Sequence, residues 1–99
     1  MPEWIYVIRA AREGFKTEPT EAELALMAAH FDYLKSLHAD GSVVLAGRTD
    51  GAEFGLIVFE AEDEDAARGV MNADPSVANG VMDATLYPYR VALLRGHDG

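Results

Sequence analysis

Ser42–Ala61 reads SVVLAGRTDGAEFGLIVFEA. Its two arms, SVVLAGRT and FGLIVFEA, are rich in the β-branched, aliphatic and aromatic residues that suit strands. Between them DGAE supplies turn chemistry, so the stretch is expected to be a β-hairpin. What flanks the hairpin decides the fold, because each arm leads into a helix-forming segment.

Upstream lies TEAELALMAAHFDYLKSLHADG, Thr20–Gly41. Thr20 can cap the free amides of a helix, and Glu23, three residues on, completes a capping box. Leu24, Met27, Ala28, Phe31, Leu34 and either Leu37 or His38 recur at helical spacing and form the expected core stripe. Gly41 can take the left-handed conformation that closes the helix. Downstream, EDEDAARGVMN reads as a second helix whose acidic first turn suits the positive helix N-terminus. DPSVANG follows as a short turn or helical cap, with Asp74 placed to cap and Pro75 at the first helical position.

The two ends of the chain supply the remaining strands. EWIYVIRA predicts a strand from about Trp4 to Ala10, followed by a loop punctuated by Gly14 and Pro19. VMDATLYPYRVALLRG predicts a long last strand in which Pro88 calls for an edge position or a bulge. His97 falls in a loose tail, HDG. The order is β-α-β-β-α-β: an α+β, ferredoxin-like chain with a four-stranded antiparallel sheet and two helices on one face.

The bare face of such a sheet should alternate with polar residues. Here Trp4, Tyr6 and Ile8 oppose Ile5 and Val7, and Leu56 and Val58 oppose Ile57 and Phe59, so both faces are apolar. A wet apolar face of several hundred Å² is costly at about 25 cal/mol per Å². The expectation is a homodimer that packs open sheet face on open sheet face. A monomer covered by its own tail and loop is the alternative.

With 99 residues, 49% of them apolar, the chain is expected to form one domain spanning 1–99. It has no cysteine, which rules out disulfides and thiolate sites and fits a reducing cytosol. No apolar run nears the roughly 20 residues that cross a bilayer, and MPEWIYVIRA has no basic leader. A cytoplasmic protein without membrane attachment is expected. A net charge of -9 argues against nucleic acid as a partner.

His30 flanks the apolar stripe, at the margin of the expected core. There it could transfer protons, or be a boundary histidine satisfied by a backbone carbonyl. Asp74 could orient it, as a base needs, or could be a plain cap before proline. His38 lies about 12 Å further along the helix at 1.5 Å per residue, too far to share a metal with His30. No metal-ligand spacing and no cofactor fingerprint is present. Arg9, Arg12 and Arg48 stand out in an acidic chain as candidates to bind a carboxylate or phenolate; surface ion pairing is their plainer role. Two classes of function stay open on these residues: a small enzyme, or a non-catalytic small-molecule-binding or accessory dimer.

HFDYLKSLHADGSVVLAGRT, followed by FGLIVFEAEDEDAARGVMNADPSVANGVMDATLYPYRV, resembles the YciI-like (YCII-related) family. The resemblance runs from Trp4 to about Arg95. It rests on H-x-x-Y-L in the first helix, G-x-x-x-x-A-G entering the second strand, DP after the second helix, and YPYRV. It implies a dimeric α+β barrel and an active site centred on a His–Asp pair, with His30 and Asp74 at the matching positions. A few related proteins act on chlorinated or hydroxylated aromatic ring compounds, and muconolactone isomerases share the barrel; the expectation is a small cofactor-independent enzyme that uses the pair for acid–base chemistry on a small ring or carbonyl substrate. Many members read AGP where this chain has Ala46-Gly47-Arg48, so Arg48 marks a departure beside the expected pocket.

Overall fold

A computed structural model describes residues 1–96; His97, expected in a loose tail, lies outside the described residues. The elements are β1 (Glu3–Ala10), α1 (Glu21–Ala39), β2 (Val43–Arg48), β3 (Gly55–Glu60), α2 (Glu64–Ala73), α3 (Pro75–Ala78) and β4 (Met82–Tyr89). A single 3₁₀ turn, Glu13–Phe15, occupies the loop after β1. The strands form one antiparallel sheet in the order β2-β3-β1-β4. This is the ferredoxin-like α+β arrangement that the sequence implies. Among the described residues, no helix is long and apolar enough to cross a membrane.

Local signals act where the sequence puts them. The Glu23 N–H donates to Thr20 Oγ1 (3.1 Å) and the Thr20 N–H donates to the Glu23 carboxylate (2.8 Å), which closes the capping box. Gly41, at φ 90°, ends α1. Pro88 sits in β4, an edge strand, opposite Trp4. The helix side of the sheet carries Trp4, Tyr6 and Ile8 from β1 and Ile57 and Phe59 from β3, packed against Leu34, Ala67 and Met71. Each large apolar side chain buried there contributes about 1.5–3 kcal/mol. The buried indole of Trp4 donates to the Ala61 carbonyl (3.1 Å), so no polar group is stranded.

Two expectations need correction. The last strand stops at Tyr89, because β1 begins at Glu3, the partner of Tyr89, and offers β4 nothing beyond it. The core stripe of α1 is rotated from the expected one. His30 and Leu34 are its buried residues, whereas Leu24 and Phe31 are 54% and 60% exposed. His30 is therefore not marginal: it points inward because it has a buried partner there. In the β2–β3 loop the left-handed residue is Ala52 (φ 56°). Thr49 sets that geometry, its carbonyl accepting from the Ala52 N–H (3.0 Å) and its hydroxyl from the Glu53 N–H (2.8 Å).

A Cβ in the left-handed region costs about 1–2 kcal/mol, and the extra chain entropy of glycine returns about 0.5–1 kcal/mol of that. Ala52→Gly is thus expected to stabilise the protein by about 0.5–1 kcal/mol. In urea unfolding this is a higher midpoint at unchanged slope. A lower midpoint would show that the loop bears no strain.

On the open face Tyr87, Ile5, Val58 and Leu45 form one cross-strand row. Ile5 and Val58 are buried, while Tyr87, Leu45 and nearby Tyr89 stand exposed.

Candidate active site

A bulge in β2 prepares the site. Val43 pairs with Phe59 and Leu45 with Val58, so Val44 is the extra residue. The bulge turns Leu45 to the open face. It turns Ala46 and Arg48, opposite Ile57 and Gly55, to the helix side. Ala46 and Gly55 are small where a filled core would be large. A Cβ at Gly55 would stand 3.2 Å from Ile8 and 3.3 Å from the Gly47 carbonyl. Between these positions and α1 lies a cavity of about 600 Å³, a volume ordinary for small-molecule sites. Ile8, Ala46 and Ile57 line its floor and Met27, His30 and Phe31 its roof.

Asp74 is fixed behind that roof. Its N–H donates to the Met71 carbonyl (3.3 Å) at the end of α2. Its own carbonyl accepts from Val77 (3.0 Å) and Ala78 (2.8 Å) at the start of α3. Pro75 favours an extended conformation for the residue before it, and Asp74 adopts φ -62°, ψ 122°. The carboxylate is thereby turned back under the chain, 0% exposed.

Three side chains and one backbone group converge on this carboxylate. His30 Nδ1 lies 2.7 Å from Oδ2 and 2.9 Å from Oδ1. The Tyr6 hydroxyl donates to Oδ2 (2.7 Å). Ser76 donates twice to Oδ1, from its N–H (2.9 Å) and its hydroxyl (2.8 Å). Burial pushes the Asp74 carboxyl up, but the hydrogen bonds from His30, Tyr6 and Ser76 and the His30 charge outweigh it and hold the group below the usual carboxylate range. Burial, the Asp74 charge and the hydrogen bond to it raise the Tyr6 hydroxyl, which stays protonated and donates.

When the ring is neutral, an ionised carboxylate against Nδ1 fixes its tautomer, with the proton on Nδ1 and the lone pair on Nε2. His30 is 8% exposed and lines the cavity. No fully buried side-chain nitrogen or oxygen among the described residues lacks a partner. Nε2, which makes no hydrogen bond there, is therefore open to the cavity. A neutral imidazole with a free nitrogen in a pocket and a carboxylate behind it can accept and return a proton.

The structure brings His30 and Asp74 together across 44 residues of sequence. It places Arg48 on the cavity wall from the helix side, and Arg9 at the cavity's edge, on the alternation of Ile5 and Val7 in β1. Arg9 stacks over the Phe54 ring, 5.4 Å from its centroid, and Arg48 donates to the Thr49 carbonyl (3.2 Å). Arg12 does not reach the cavity. Its guanidinium donates to both Glu23 oxygens (2.9 and 2.7 Å) and to the Glu18 carbonyl (2.8 Å). Those bonds, with the Thr20 N–H, draw the Glu23 carboxyl down to about 2. His38 is exposed on α1. Two participants escaped the sequence reading. Ser76 looked like ordinary helix-start sequence, and Tyr6 was indistinguishable from core, although a buried tyrosine hydroxyl needs a partner. Lys16, which also lines the cavity, carried no signal.

A family model described as YCII-related domain matches residues 5–89. No curated protein matches the chain. The fold is shared with 5-chloro-2-hydroxyhydroquinone dehydrochlorinase (TftG) from Burkholderia phenoliruptrix AC1100, solved with 2,5-dihydroxybenzoquinone. That protein is 21% identical, with a TM-score of 0.66 over 88% of this chain and 93% of that one. Muconolactone isomerase is 15% identical, with a TM-score of 0.71 over 97% of each chain. MtbAldR is 12% identical, with a TM-score of 0.56 over 98% of this chain and 59% of that one.

Proposed function

The chain belongs to the YCII-related domain family, and from that premise we propose that it is a small enzyme moving a proton on a small ring or carbonyl substrate. The observation that carries this reading is the His30–Asp74 pair, buried on the Asp74 side and open at Nε2 to the cavity. His30 acts as base: Nε2 takes a proton from carbon, and Asp74 holds the ring and stabilises the imidazolium. The electron pair left on carbon moves into an enol or a ring double bond. The step ends when Nε2 returns the proton to another atom, or when a leaving group such as halide departs with its bonding pair and Nε2 gives its proton up to water. Arg9 and Arg48 hold an anionic group of the substrate. Base, orienter and anion site are side chains, so the step calls for no cofactor.

The fold likeness to a dehydrochlorinase and an isomerase supports chemistry of this kind. The protein works as a single cytoplasmic domain that pairs through the open sheet face, covering Tyr87, Tyr89 and Leu45.

Proton exchange tests the reading without a known product. Hydroxylated ring compounds and ring lactones are incubated in D₂O, and loss of C–H signal is followed by NMR. The wild type is expected to exchange at least one such proton, and His30→Ala to slow that exchange about 10²–10⁴-fold. Exchange that survives His30→Ala would overturn the assignment. Binding without any exchange would make the protein a ligand-binding module.

A further inference from the structure

The chain has 8 Lys and Arg against 17 Asp and Glu, yet the cavity reverses that balance. Arg9, Lys16 and Arg48 line it, with Asp50 as the one acid. Arg12, Lys35 and Arg68 pair with Glu23, Asp32 and Glu64. Arg9, Lys16 and Arg48 pair with no carboxylate among the described residues; nor do Arg90 and Arg95, which lie away from the cavity. Local structure explains the sorting. The 3₁₀ turn Glu13–Phe15 separates Arg12, tied to Glu23, from Lys16, which reaches the cavity. The β2 bulge delivers Arg48. Arg9 lies against Phe54, which occupies the guanidinium face and leaves its N–H edge for an acceptor.

Three unpaired cations with one acid at a largely apolar cavity exceed what a single carboxylate neutralises. We propose that the occupant is a small dianion: a ring or short chain bearing two carboxylate-type groups. Arg9 and Arg48 receive one charge at the end of the sheet, and Lys16 receives the other from the loop across the mouth. The inference rests on the reading of this cavity as an anion-binding substrate site and narrows its ligand to one charge class.

Titration calorimetry with benzamide, benzoate, benzene-1,3-dicarboxylate and benzene-1,4-dicarboxylate tests it. At low salt at least one dicarboxylate is expected to bind about tenfold more tightly than benzoate, and benzamide most weakly, the gaps narrowing as salt rises. Lys16→Ala should bring the dicarboxylate down to benzoate's affinity and leave benzoate unchanged. Arg12→Ala should alter neither. Dicarboxylates that bind no better than benzoate, or a Lys16→Ala variant that keeps the preference, would overturn the dianion alone. If benzoate also fails to bind, the anion site at Arg9 and Arg48 falls with it. The proton-transfer role of His30 is judged separately, by exchange.

Discussion

Asp74→Ala is expected to lower the melting temperature by about 15–30 °C, a loss of about 3–5 kcal/mol. The substitution strips acceptors from four donors at once: His30 Nδ1, the Tyr6 hydroxyl, and the N–H and hydroxyl of Ser76. Tyr6, Asp74 and Ser76 are all fully buried, so water does not simply take over. Each donor left unpaired costs about 1–3 kcal/mol, and losing the cap of α3 adds to it. Such a loss is a large part of the roughly 5–15 kcal/mol that holds a domain together. The same carboxylate gives the protein an acid limit. Its folded pKa lies below the ordinary 3.8, so its contribution is complete above that value and disappears as pH falls through the folded pKa. Wild-type stability should therefore decline below about pH 4, and a variant without the carboxylate should lack that part of the decline. Calorimetry across pH checks both. A melting temperature unchanged by Asp74→Ala would mean that the network contributes nothing net.

Much of this was legible in the sequence because the signals are local. A capping box, a hairpin between two helical patterns and a proline in the last strand need only neighbouring residues to act, and they fixed the order of elements. The His30–Asp74 pair came from topology together with the family resemblance, which gave the residues but not the geometry. What escaped was set by tertiary contact. The rotation of α1 follows from the buried partner of His30, which overrides the apolar spacing of Leu24 and Phe31. The direction of Arg48 depends on one extra residue in β2, visible only once the strands are paired. Arg12 was separated from Lys16 by a single 3₁₀ turn and an ion pair. Ser76 mattered through its distance to Asp74, which no periodicity encodes.

Asp74→Asn is expected to keep the fold and abolish the chemistry. The amide has one acceptor and one donor end, and the network dictates which goes where. Oδ1 accepts from the Ser76 N–H and hydroxyl (2.9 and 2.8 Å), so the amide oxygen must stay there. The NH₂ then takes the place of Oδ2, facing the Tyr6 hydroxyl and His30 Nδ1, both at 2.7 Å. The hydroxyl can turn and accept. Nδ1 also lies 2.9 Å from Oδ1, but both lone pairs of that oxygen are taken by Ser76, so Nδ1 is left to accept from the NH₂, which requires its own proton to move to Nε2. The cavity-facing nitrogen then carries hydrogen and has no lone pair with which to take a proton. Only the Tyr6 O–H loses its acceptor, against four donors in Asp74→Ala, so the stability cost stays under that of Asp74→Ala, about 1–3 kcal/mol. Proton exchange, in contrast, should fall about 10²–10⁴-fold, as far as in His30→Ala. Nitrogen NMR of the imidazole reports the switch directly: Nδ1–H in the wild type, Nε2–H in the variant. If the variant keeps the Nδ1–H form, or keeps its exchange rate with the tautomer reversed, then Asp74 does not orient a base, and the pair serves only to hold α1 against the start of α3.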